Sequence, residues 1–159
     1  MKLRSWYAVH GKQISVPNPA AIVQCIQPRV AGLTHDFHTA DGRLRLLIDA
    51  TPIVLVRRIF ADDEEYPCKG SIWESQLIAW GGPHVEHVIA HVRQSVQLTT
   101  ITPLPLSRAN RRLARICEQI CGQIAADSDG LIQVFQEGFF DRQGNALLPC
   151  SPKHSLKTS

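Results

Sequence analysis

Arg43-Leu-Arg-Leu-Leu-Ile-Asp-Ala-Thr-Pro-Ile-Val-Leu-Val-Arg-Arg-Ile-Phe60 decides the fold class. Its halves, Arg43 to Ile48 and Pro52 to Phe60, are rich in aliphatic residues and join at Ala50-Thr51, which predicts adjacent, largely buried strands. The acidic run Asp62 to Glu65, followed by Tyr66-Pro67, ends that sheet portion. Ser71 to Trp80 then predicts a helix, with Ile72, Trp73, Leu77 and Trp80 at helical spacing. Gly81-Gly82-Pro83 interrupts it, and residues 92–101 alternate as a strand closed by Pro103 and Pro105.

The clearest helix follows. Ser107 supplies a cap, and Leu113, Ile116, Cys117, Ile120, Cys121 and Ile124 mark one apolar face, predicting a helix over about 107–125. Leu131 to Phe135 and Ala146 to Leu148 add strands. This order predicts an α+β two-layer sandwich: a mixed or antiparallel sheet from residues 43–60, 92–101 and 131–148, with two main helices on one face. Upstream signals are weaker. Trp6 to Val9 suggests a strand, Pro19 opens a short helix, and residues 29–41 read as a hairpin or connector ending in the Asp41-Gly42 turn. Residues 1–150 read as a single domain and 151–159 as a flexible tail.

The succession of a β-hairpin, a tryptophan-bearing helix, the junction His87-Val-Ile-Ala-His91-Val, a capped helix and a final strand resembles an uncharacterised bacterial family of small ferredoxin-like α+β domains of unknown function. The resemblance covers about residues 43–148. It implies the fold and brings no activity, cofactor or site with it.

Composition narrows the function classes. Of 159 residues, 44% are hydrophobic and 19% charged, the balance of an ordinary globule and not of a disordered chain. No apolar run approaches the roughly 20 residues of a membrane helix. A net charge of +3 is too small to indicate nucleic acid. Five cysteines in no secreted-scaffold pattern, and an N-terminus unlike a secretory leader, suggest a cytoplasmic protein with free thiols.

Two clusters are candidates for function. Histidines His84, His87 and His91 fall three and four apart, so on a continuous helix they would converge on a zinc-sized shell and, with Glu86 as base, serve a metal-dependent hydrolase. The order His-Glu-x-x-His is missing, and His35-Asp36-Phe37-His38 reads as a polar turn. Arg108, Arg111, Arg112 and Arg115 crowd the first turns of the best helix opposite its apolar stripe. Cations there oppose the helix dipole, which suggests an anionic partner surface. Cys117 and Cys121 share the apolar face and read as core. With no phosphate loop and no nucleophile elbow, the favoured expectation is a non-catalytic protein-binding domain without a cofactor, such as an immunity protein that neutralises a toxin or effector. Self-association through a sheet edge is a further expectation.

Overall fold

The computed structural model describes residues 6–26, 30–38, 43–66, 71–104 and 111–149. The opening stretch forms β3 (Arg43–Ile48) and β4 (Thr51–Phe60), an antiparallel pair joined by Asp49-Ala50. Both linking residues have positive φ, 49° and 64°, as a two-residue hairpin loop of right-handed twist demands. Outside β3 lies β2 (Leu33–His38), so residues read as a connector form a full strand.

β5 (Gln97–Pro103) pairs with β4, and β1 (Tyr7–Gly11) lies between β5 and β6 (Gly130–Val134). β7 (Gly138–Phe140) and β8 (Ala146–Pro149) complete an eight-stranded sheet in the order β2-β3-β4-β5-β1-β6-β7-β8, all pairings antiparallel. Tyr7–Gly11 is therefore central to the sheet. At Gly130 a side chain would meet Val9 Cγ1 at 2.5 Å and the Ala125 backbone at 3.2 Å, so glycine lets β6 leave the preceding helix beside β1.

Among the described residues four helices cover the sheet: α1 (Pro19–Ile26), α2 (Ser71–Trp80), α3 (Val85–Gln94) and α4 (Arg111–Ser128). α1 starts where Pro19 fixes φ and Asn18 Oδ1 accepts the Ala21 N–H at 3.2 Å. Successive strand side chains point to opposite faces. Ile132 and Phe140 pack with α1 and α4, whereas their neighbours Leu131 and Phe139 pack with Leu77 of α2 and Val88, Ile89 and Val92 of α3. Helices thus lie on both sides of the sheet.

This corrects the two-layer expectation, which set both main helices on one face. The helices at 71–80 and 111–128 sit on opposite faces, and α1 joins α4. Eight strands flanked in this way also differ from the small ferredoxin-like plan. The strand expected from residue 92 is corrected too, because α3 continues to Gln94 and its backbone becomes extended at Ser95, with ψ 134°. Val92 alternates with Val96 and Leu98, but it equally completes the helical set Val88, Ile89 and Val92. No helix among the described residues is long and apolar enough to cross a membrane.

Candidate functional site

The second helix pair determines where the sheet is bare. α2 and α3 are tied by the Arg93 guanidinium, which donates to both Glu74 carboxylate oxygens at 2.7 and 2.6 Å. α3 lies over β1, β6 and β8. On that same side, the strands from β5 outward to β2 present mostly exposed or half-buried residues, with Ile59 and Leu98 buried under Tyr66.

Register fixes their arrangement. Asp36 lies opposite Arg45, Arg45 opposite Leu55, and Leu55 opposite Thr102. Continuing the β1 pairings by one residue brings Trp6 beside Thr102 and Phe135, and the Trp6 and Phe135 rings stand 5.5 Å apart. The result is a cross-strand row, Phe135, Trp6, Thr102, Leu55, Arg45, Asp36, spanning about 24 Å at ordinary strand spacing. Thr100, Arg57, Arg43 and His38 form a second row beside it. Arg43, Arg45 and His38 are exposed, while Trp6, Phe135, Leu55 and Arg57 are half-buried.

The charges on this face are partly matched within the chain. Arg45 pairs with Asp36, and that hydrogen bond holds the Asp36 carboxyl below its ordinary range. Arg57 pairs with Glu65 at 2.6 Å, so the acidic run folds back onto this sheet face. Tyr66 beside it closes a small cluster with Ala8, Ile59 and Leu98.

The sequence-derived candidates fare differently. His84 and His87 are exposed. His91, by contrast, is buried in the last turn of α3, where its Nε2–H donates to the His10 carbonyl oxygen at 2.9 Å. Nε2 of His91 is thus engaged by backbone, and among the described residues no group of three His, Cys, Asp or Glu side chains is placed to hold a metal ion. His10 is a buried imidazole that the sequence did not single out. Its Nε2–H donates to Gln133 Oε1 at 2.8 Å and its ring lies 5.6 Å from Phe139. Burial pushes its pKa down to about 4, with Gln133 opposing and His91 adding to the shift. Burial likewise lowers His91.

Of the arginine cluster, Arg112 and Arg115 are exposed on α4. Arg108 and the Arg111 side chain lie outside the described residues, as do Ser107, Cys68, Cys150, the Asp41-Gly42 turn and the tail. Cys117 and Cys121 are core, as their spacing implies, and burial pushes the Cys117 thiol up to about 12. A cleft of about 310 Å³ opens between α4 and the β6–β7 turn, floored by Tyr7, Ile132, Val134 and Phe140 and rimmed by Glu118, Glu137 and Arg142. It is at the lower limit of ligand-sized pockets.

The chain is thus an α+β protein in which, among the described residues, one face of the sheet is half covered. No known protein family, curated protein or solved structure matches it.

Proposed function

We propose that the chain is a non-catalytic protein-binding domain that receives its partner on the bare face of β2 to β5, bordered by Trp6 and Phe135. One observation carries this reading: the row Phe135, Trp6, Thr102, Leu55, Arg45, Asp36 on the part of the sheet that α2 and α3, lying on the same side, leave uncovered among the described residues. Aromatic and arginine side chains concentrate binding energy at protein interfaces because they combine large apolar area with directed polar groups. Here they are held by a sheet, so little order is lost on docking.

The partner is a protein rather than a nucleic acid. Arg45 and Arg57 already meet carboxylates of their own chain, which weakens any attraction for a phosphate backbone. The same alternation of arginine and carboxylate suits a mixed-charge protein surface and steers its approach. A toxin or effector blocked by occlusion, as by an immunity protein, is the partner class this reading names. The α4 arginines become secondary, because the acidic run meets Arg57 instead.

The test uses tagged full-length protein in lysate of its native source. Wild type should retain one protein stoichiometrically, Trp6→Ser and Leu55→Glu should lose it, and Arg112→Glu/Arg115→Glu should keep it. Loss only in the α4 variant, or retention by all of them, would move the interface off this face.

A further inference from the structure

A glycine stands in the longest helix where no close contact requires one. Gly122 lies inside the 18-residue α4. Glycine in a helix interior destabilises it relative to alanine, because its backbone has more freedom to lose. Tight packing against a neighbour is the usual reason to keep one, yet among the described residues a Cβ at Gly122 would meet nothing within 4 Å. The space it faces is the cleft of about 310 Å³ beside the β6–β7 turn. The sheet recedes on the same side. Tyr7 pairs with Val134 and Val134 with Gly138, so this cross-strand row ends without a side chain.

Floor and rim differ in chemistry. Tyr7 and Ile132 are almost wholly buried in the floor, while Val134 and Phe140 keep part of their surface open toward the cleft. Such a floor gains by covering the flat apolar body of a ligand. The rim is charged unequally: Glu118 of α4 and Glu137 of the β6–β7 turn supply two carboxylates, and Arg142 supplies one guanidinium. An entering anion meets two like charges for one opposite charge, and a cation meets the reverse. Aromatic rings in the floor attract cations further. Together they favour a monocation on an apolar body over its neutral or anionic counterpart.

We propose that this cleft is a binding site for a small organic ammonium, an amine carried on an aromatic or similarly flat apolar body. The floor takes the body, Glu118 and Glu137 take the ammonium, and Gly122 keeps the space clear. Tyr7, Ile132, Val134 and Phe140 belong to the α4 side of the sheet, whereas their neighbours Trp6 and Phe135 point to the other. The site therefore stands independently of what docks on the bare face.

Titration of the isotope-labelled full chain, followed by amide NMR, tests it with three probes of one size: phenethylamine, 2-phenylethanol and phenylacetate. Phenethylamine should bind saturably with a Kd of about 1 mM or tighter, as befits so small a ligand, and shift amides of residues 118–122 and 134–144. The isosteric alcohol should bind at least about tenfold more weakly and phenylacetate more weakly still, because each lacks the charge that the carboxylates receive. Gly122→Leu should fill the cleft and lose the amine while melting no lower than wild type. Glu118→Gln/Glu137→Gln should reduce the preference for amine over alcohol. No saturable shift up to about 10 mM, shifts centred elsewhere, equal affinity for amine and alcohol, or a folded Gly122→Leu that binds as wild type does would each overturn the proposal.

Discussion

The two halves of the sheet obey different constraints. β1 and β6 have helices on both faces, so nearly every side chain there is enclosed, including His10 at 0% exposure. β2 to β4 are enclosed on one face, where Leu44, Leu46, Val54 and Val56 pack into the main core, and present on the other a mixture of arginine, polar and half-buried side chains such as Leu55, closed only at Ile59. Stability is concentrated in the first half. Freedom to carry an interaction surface is left to the second, because a change on its open face costs little packing.

Substitution should reveal that contrast most strongly at Phe139, which is fully buried under α3. Phe139→Ala should lower unfolding free energy by about 3–5 kcal/mol in urea titration, whereas Leu55→Ala on the open face should cost well under half as much. Comparable losses at both positions would erase the distinction.

Acid should attack the enclosed half next. The pKa of His10 falls from an ordinary 6.5 to about 4 on folding. The unfolded chain therefore takes up its proton first, and stability present above about pH 6.5 declines as pH falls toward 4. The decline amounts to about 3 kcal/mol, and His91 adds in the same direction. His10→Gln should flatten this slope in denaturant titrations at stepped pH, even if it lowers stability overall. An unchanged slope would mean that His10 is protonated in the folded protein.

On the open half the expected effect appears in binding. Trp6→Ser should weaken a captured partner by about 30-fold or more, measured by calorimetry, with far-UV circular dichroism unchanged. Smaller again is the hairpin loop. Ala50 has φ of 64°, a left-handed conformation that glycine adopts more readily, so Ala50→Gly should raise stability by about 1 kcal/mol. A loss instead would show that the gain in unfolded-state freedom outweighs the relief of strain.

How much of this was legible in the sequence varies with location. The β3–β4 hairpin could be read because both strands are long and aliphatic on the core side. α4 was equally plain, since its apolar stripe persists for four turns. β1 was legible as a strand from Trp6 to Val9, but not in its extension to Gly11 or its central place, because it is short and contains His10, which pairs inside with Gln133 far along the chain. The sides taken by the helices were also hidden, for an apolar stripe shows that a helix is covered but not by which face of a sheet. The candidate face could not be seen at all. Trp6, Asp36, Arg45, Leu55, Thr102 and Phe135 share no sequence window, and only strand register aligns them. Histidine spacing misled for the converse reason: proximity on one helix did not give a common environment, and His91 turned inward to the His10 carbonyl.

The central position of β1 has a consequence for biosynthesis. Tyr7 to Gly11 leave the ribosome early, yet their partners lie at Gln97 to Ile101 and Gly130 to Val134. β2, β3 and β4 can zip together from local turns long before either partner exists, while distant pairings wait on costly loop closure. The nascent sheet therefore grows from its rim toward its middle, and the inner edge of β4 stays open until β5 emerges. That interval, rather than any moment in the finished protein, is when neighbouring chains have the best chance to pair where β5 belongs.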